Sequence, residues 1–106
     1  MRVIKEKTVY NICQIGKYKS GGDNLTAWLN KAKEAKWTGP ADVKKTFPKA
    51  SIIDSKRVVF NIRGNEFRLV VDIEYRLHSV FIIWFGTHQE YEVVDIKRLR
   101  YGNKNY

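Results

Sequence analysis

The stretch RVVFNIRGNEFRLVVDIEY, residues 57–75, decides the fold, because two strand-like runs in it flank the dipeptide Gly64–Asn65. Gly-Asn between β-branched and aromatic residues is typical of a hairpin with a two-residue loop. Such a loop fixes the pairs across the two strands: Ile62 with Phe67, Asn61 with Arg68 and Phe60 with Leu69. The apolar members of these pairs then share one face. A slip by one residue would scatter them over both faces, so the pattern supports this register.

A second tight turn near Arg76–Leu77 is expected to return the chain along HSVFIIWF, residues 78–85. The register that this turn sets adds three residues of the returning strand to the core face: Val80, Ile82 and Trp84. It places Arg68 opposite Phe85. The other face of the sheet then carries a mixed set of side chains: Asn61, Arg63, Arg68, Val70, Ile83 and Phe85.

The first half of the chain predicts helices. Val9 and Ile12 lie on one side of a segment from Lys5 to about Gln14, and Asn24 is expected to cap a second helix. Four residues of that helix follow i, i+3, i+4, i+7 spacing: Leu25, Trp28, Leu29 and Ala32. Three shorter elements are expected: an edge strand at Arg2–Ile4, a loop at Gly16–Asp23 and a short helix or turn at Ala41–Phe47. Together these elements predict one α+β domain over residues 1–106, with two N-terminal helices packed on an antiparallel meander sheet and a short C-terminal helix.

Charge is the strongest global signal. The 106 residues include 20 Lys and Arg against 11 Asp and Glu, a net charge of +9. Such an excess indicates a polyanionic partner, namely a nucleic acid, an anionic membrane or an acidic protein, unless it serves only to keep the surface solvated. No apolar stretch is long enough to span a bilayer, no signal-peptide core follows Met1 and no basic amphipathic helix stands out, so a membrane partner is not expected.

The cysteine and histidine content argues against a metal centre. Cys13 is the single cysteine, so no internal disulfide forms, which fits a reducing cytoplasm. Together with His78 and His88 it has no metal-ligand spacing. We therefore expect no metal site and no small-molecule cofactor.

The stretch GTHQEY, residues 86–91, is the candidate for chemistry, since it directly follows the apolar run of the last strand. Thr87 and Glu90 match a capping box, which predicts a helix with His88 in its first turn and Tyr91 on the same face. Each of the two has a plain structural interpretation as well, His88 as a capping-region residue and Tyr91 as an aromatic at the edge of the core.

The predicted register brings four of these residues to one end of the sheet: Arg63, Arg68, His88 and Tyr91. This set suits RNA cleavage by attack of a ribose 2′-OH on the neighbouring phosphate, which needs proton transfer and fixed positive charge. A helix N-terminus favours neutral His88 as a base, whereas Glu90 nearby opposes this. Tyr91 is suited to proton transfer or base stacking. The alternative for Arg68 is an ion pair with Glu66 or Asp72.

The sequence RVVFNIRGNEFRLVV followed by FGTHQEY resembles the HigB family of toxins in the RelE-like superfamily. The resemblance includes the opening MRVI, AWLNKAKEAKW and PADVKKTFPKASII, and it extends from Met1 to about Asp95. It implies a RelE-like small domain that acts as an mRNA interferase, a cytoplasmic endoribonuclease that cuts message on the translating ribosome without metal. It also implies a HigA-type helix-turn-helix antitoxin as the silencing partner.

Carried onto this chain, the resemblance implies catalytic roles for Arg68, His88 and Tyr91. The expected RNA-contacting residues are Lys56, Arg57, Asn61, Arg63 and Arg98. Two positions depart from the family pattern. Relatives often carry an arginine at the position of Ile83, and a glycine at the position of Arg63, so the cation gained at Arg63 is hypothesised to offset the one missing at Ile83. The loss favours the alternative function, a weak or inactive module of the same fold that binds RNA or the ribosome.

Overall fold

The computed structural model describes residues 1–101 and consists of a five-stranded sheet with helices packed on one face. The elements follow in chain order: β1 (Arg2–Ile4), α1 (Glu6–Cys13), a 3₁₀ turn (Gly16–Gly21), α2 (Gly22–Glu34), α3 (Pro40–Thr46), β2 (Ser51–Ile52), β3 (Arg57–Ile62), β4 (Phe67–Glu74), a second 3₁₀ turn (Tyr75–Leu77), β5 (Ser79–Thr87) and α4 (His88–Glu92). Residues 102–106 of the predicted domain lie outside the described residues. Within residues 1–101, no helix is both long and apolar enough to cross a membrane.

The strand order is β1-β5-β4-β3-β2, and β1 runs parallel to β5 whereas all other neighbours are antiparallel. The predicted α+β class is confirmed, as is the edge strand at Arg2–Ile4. The sheet is mixed, however, because β1 adds to the antiparallel strands in parallel orientation. Local sequence pattern does not reveal this pairing, since β1 and β5 are separated by most of the chain.

The predicted register of the first hairpin is confirmed, with Ile62 opposite Phe67 and Asn61 opposite Arg68. The turn is closed by a hydrogen bond from the Glu66 N–H to the Arg63 carbonyl at 3.2 Å. Arg63 itself has a φ of +54°, in the left-handed region that favours glycine. A glycine would adopt this conformation without strain.

The second hairpin follows the prediction only as far as the pair Val71–Ile82, where a β-bulge shifts the register. Beyond the bulge the pairs are Val70 with Trp84, Leu69 with Phe85, and Arg68 with Gly86. The predicted pairs of Trp84 with Leu69 and Phe85 with Arg68 are therefore wrong. Ile83 is the extra residue of the bulge, and it moves each residue that follows in β5 to the opposite face of the sheet. Phe85 therefore lies in the inner core and Trp84 faces outward.

Two apolar clusters lie on opposite faces of the sheet. The inner cluster joins the helices to β1, β3, β4 and β5. The outer cluster consists of Val59, Val70, Ile83 and Trp84, and chain segments after α4 cover it through residues that include Val94, Ile96 and Leu99. The outer face is thus a second small core rather than the open mixed surface that the sequence predicted.

Helix α2 begins earlier than predicted. Its first residue is Gly22 and its N-cap is Gly21, so Asn24 lies inside the first turn and does not cap the helix. The expected loop at 16–23 is instead a 3₁₀ turn that runs directly into α2. The buried Tyr18 explains this order, because its ring packs edge-on against Phe85 at 5.4 Å and fixes the turn to the sheet.

Candidate functional site

Helix α4 is fixed to the end of the sheet by its first residues. The predicted capping box is present: the Thr87 hydroxyl accepts from the Glu90 N–H at 3.1 Å, and the Glu90 carboxylate accepts from the Thr87 N–H at 2.8 Å. The His88 N–H donates to the Glu66 carbonyl at 2.9 Å. Because Glu66 closes the first hairpin, α4 and that hairpin are held as one unit.

The carboxylate of Glu90 connects α4 to the 3₁₀ turn. It accepts hydrogen bonds from Lys17 Nζ at 2.8 Å and from the Tyr18 hydroxyl at 2.9 Å. Partial burial raises the pKa of Glu90, but the bonds from Lys17, the Thr87 N–H and Tyr18 outweigh this and lower the pKa to about 2. Glu90 therefore faces inward as a structural anion. The carboxylate beside His88 is that of Glu92, with Oε1 3.0 Å from Nε2.

Arg68 lies beside Tyr91 at the margin of the outer cluster. Its guanidinium carbon is 5.9 Å from the Tyr91 ring centroid, within cation–π range, and its Nη1 donates to the Phe67 carbonyl at 3.1 Å. Within residues 1–101, no carboxylate pairs with Arg68. Of the two candidate partners, Glu66 is 3.7 Å from Arg63 and Asp72 is bound by Arg57. The half-buried guanidinium thus retains donors for an anion.

Tyr91 is held in place by Trp84, whose ring centroid is 6.3 Å from its own. The Trp84 ring in turn covers Gly86, because a Cβ at position 86 would lie 2.4 Å from Trp84 Cη2. Glycine at this position therefore leaves room for the Trp84 ring, which packs against Tyr91. The bulge at Ile83 is what turns Trp84 toward this face.

His88 and Arg63 lie at the same end of the sheet but do not contact the Arg68–Tyr91 pair through any described bond. The exposed His88 lines a cleft of about 390 Å³ together with Lys17, Ser20 and Gln89. The Arg63 guanidinium donates to the Ser20 carbonyl at 2.9 Å. The structure thus brings Arg68 and Tyr91 together, whereas His88 lines a separate cleft and Arg63 is bound to Ser20, which also lines that cleft.

Three of the predicted RNA-contacting residues lie away from this end of the sheet. Arg57, which lies opposite Asp72, is four residues from Asn61 along β3. At the usual rise of a strand this separation is about 13 Å. Lys56 is paired with Glu74 at 2.5 Å, and Arg98 with Asp95 at 3.4 Å. Asn61, by contrast, lies directly across the ladder from Arg68.

The interpretation of Arg57 as a phosphate contact needs correction, because the residue is 4 % exposed. Its Nε and Nη2 donate to the two carboxylate oxygens of Asp72 at 2.7 and 2.8 Å. Its Nη1 donates to the carbonyls of Ile96 and Leu99 at 2.7 and 2.6 Å. These four bonds engage all three nitrogens of the guanidinium, so Arg57 is a structural residue that fastens the segment after α4 to the sheet.

Ile83, where the family resemblance led us to expect an arginine, is 3 % exposed and belongs to the outer cluster. It lies on the same face as Arg68, as expected, but under apolar cover. An arginine here would have to displace part of that cover to reach solvent. Arg63, which was hypothesised to offset the missing cation at position 83, donates its guanidinium hydrogen bond to the Ser20 carbonyl.

The sequence interpretation missed the contribution of Lys17 and Tyr18, which were assigned to a loop. Tyr18 was the available signal, because an aromatic residue within a polar, Gly-rich segment tends to pack against the rest of the protein. Among residues 1–101, no group of three or more His, Cys, Asp or Glu side chains is placed to hold a metal ion.

Comparison with known proteins gives one family. A family model described as HigB_toxin, RelE-like toxic component of a toxin-antitoxin system, matches residues 22–94. This range contains β3, β4, β5 and α4, and with them Arg68, His88 and Tyr91. No curated protein matches the chain.

Proposed function

The chain belongs to the HigB toxin family, the RelE-like toxic components of toxin–antitoxin systems, and from this premise we propose that it is an mRNA interferase, an endoribonuclease that cuts message on the ribosome. The observation that carries the proposal is the contact of Arg68 with Tyr91 beside α4. A half-buried arginine without a carboxylate partner is suited to bind a phosphate through several donors.

The reaction that fits these groups is attack of a ribose 2′-OH on the adjacent phosphorus. The P–O5′ bond breaks, leaving a 2′,3′-cyclic phosphate and a free 5′-hydroxyl. Arg68 would neutralise the charge that develops on the non-bridging oxygens. His88 and Tyr91 would handle the two protons, one taken from the 2′-OH and one given to the 5′-oxygen. None of these steps requires a metal ion.

The antitoxin is the second expected partner, since the family is defined by toxin–antitoxin pairs. We propose a HigA-type antitoxin with a helix-turn-helix domain. The net charge of +9 supports both partners, because it attracts RNA and an acidic protein segment alike. The charge therefore does not distinguish cleavage from mere occupancy of the ribosome.

The experiment compares wild type with Arg68→Ala and Arg68→Lys after induction in cells, mapping 5′ ends of message and following growth. Arg76→Ala is the matched control, because Arg76 is an exposed arginine in the turn at the far end of β4. We expect new 5′-hydroxyl ends and growth arrest in wild type and in the control. Both should be lost in Arg68→Ala, with little rescue by lysine because its single ammonium does not reproduce the guanidinium fork.

Two further variants separate the proton handlers. Tyr91→Phe keeps the ring beside Arg68 and removes the hydroxyl, and His88→Gln removes the imidazole. Loss of a general acid or base lowers the cleavage rate by about 10²–10⁴-fold, so a variant that retains wild-type cleavage has no such role. Growth arrest without new 5′ ends in wild type would favour the alternative, a binding module that blocks translation by occupancy.

A further inference from the structure

A pocket of about 320 Å³ opens at the free edge of β3, next to the strand that carries Arg68. Its volume is at the lower end of the range for small-ligand sites. Two aromatic residues form part of its lining, Phe47 and Phe60, and two lysines stand at its rim, Lys31 and Lys49. No acidic residue lines it, and neither lysine has a carboxylate partner within residues 1–101.

The pocket exists because β2 is short. Among residues 1–101, β2 pairs with just Val58 and Val59 of β3, so no described strand covers the edge of β3 from Phe60 onward. The Ile53 N–H bonds the Arg57 carbonyl, which shows that odd-numbered residues of β3 direct their backbone groups toward β2. By the alternation of an antiparallel ladder, the Asn61 N–H and C=O then point outward at this open edge. Asn61 also lies across the ladder from Arg68.

The walls of the pocket are fixed. Lys44 Nζ donates to the carbonyls of Pro48 and Ala50 at 2.6 and 2.8 Å, which holds the loop that forms one side. Phe47 packs edge-on against Phe60 at 5.0 Å and remains partly exposed on its other side. Lys31 Nζ lies 5.6 Å from the centre of the Phe47 ring. A binding partner would therefore meet a preformed site.

We propose that this pocket binds the base of a nucleotide next to the scissile phosphate of single-stranded RNA, an inference that rests on the proposed function. Phe47 would be the stacking partner of the base, and the backbone N–H and C=O of Asn61 its hydrogen-bonding partners, while Lys31 and Lys49 contact the flanking phosphate. The combination of an aromatic surface, an amide and unpaired cations favours a nucleotide over an acidic peptide, which needs the cations alone. Asn61 would thus help to set the base preference of the cut.

The test maps the bases around each cut for wild type, Asn61→Pro and Phe47→Leu. Proline removes the outward-facing N–H of Asn61 without breaking a bond of the β3–β4 ladder, and leucine preserves an apolar contact with Phe60. Lys45→Ala is the control, since this exposed lysine of α3 does not line the pocket. Thermal unfolding of each variant verifies that it is folded. We expect a base preference at one position beside the cut that is flattened in both pocket variants and unchanged in the control. Cleavage efficiency should fall by roughly tenfold, as for the loss of one stacked base.

If wild type cuts RNA and the pocket variants keep its base preference, the pocket is not a base subsite, although the proposed nuclease stands. The same conclusion follows if these variants lose only their affinity for the antitoxin. If wild type does not cut RNA, binding of short single-stranded oligonucleotides is compared between Arg68→Ala and the double variants Arg68→Ala/Asn61→Pro and Arg68→Ala/Phe47→Leu. Weaker binding of both double variants supports the subsite without the chemistry, and equal binding overturns it.

Discussion

Replacement of Arg57 by methionine should destabilise the protein strongly, because it removes one partner of a buried ion pair and keeps the aliphatic stem. The side chain is 5 % exposed and makes two bonds to Asp72 and two to backbone carbonyls after α4. Breaking a buried pair on one side costs about 3–5 kcal/mol. Since the Asp72 side chain is 27 % exposed, water recovers part of this, and we expect a loss of about 3 kcal/mol.

The assay is urea unfolding followed by far-UV circular dichroism, with the free energy obtained by linear extrapolation. The double variant Arg57→Met/Asp72→Leu removes both charges, so it should recover most of the loss. Lys56→Met is the control, because Lys56 is adjacent in sequence but its side chain is 57 % exposed where it pairs with Glu74, and no resolvable change is expected. A loss below about 1 kcal/mol for Arg57→Met, or a double variant no better than the single one, would contradict the role assigned to Arg57.

Two further predictions concern the anchoring of α4. The pKa of Glu90 is about 2, below its ordinary value of 4.5, so its contribution to stability is complete above pH 4.5 and is lost as the pH falls toward 2. The urea midpoint of wild type should fall over that interval, and Glu90→Gln should show a lower midpoint at neutral pH with a flatter acid dependence; parallel profiles would refute this. Gly86→Ala places a methyl group against the buried Trp84 ring and should cost about 1–3 kcal/mol, together with a changed near-UV spectrum. An unchanged melting temperature and spectrum would show that the ring moves without cost.

The first hairpin was predictable because Gly64–Asn65 fixes its register locally and the alternation of Phe60 and Ile62 with polar residues fixes its faces. The capping box at Thr87 and Glu90 was predictable for the same reason, since both partners lie within one turn. The placement of Arg68 and Tyr91 at one end of the sheet follows from these two local features together with the antiparallel pairing of β5 on β4, which the turn near Arg76–Leu77 predicted.

The bulge at Ile83 was not predictable, because the segment VFIIWF is apolar at every position and offers no alternation that would reveal an added residue. The role of Arg57 depends on Asp72 and on carbonyls some 40 residues away, and backbone carbonyls leave no mark in a sequence. The parallel pairing of β1 is likewise a long-range event.

The segment that covers the outer cluster also has a consequence for synthesis. Arg68 is added to the growing chain well before α4 and before Leu99, whose carbonyl accepts a bond from Arg57. At translation rates of about 5–20 residues per second, the 31 residues from 68 to 99 take roughly 2–6 s to add. During this interval β4 has no α4 beside it and the outer face is bare. A nascent chain therefore cannot assemble the proposed catalytic residues while this segment is still being synthesised. Each copy of the protein would thus become active only near the end of its own synthesis.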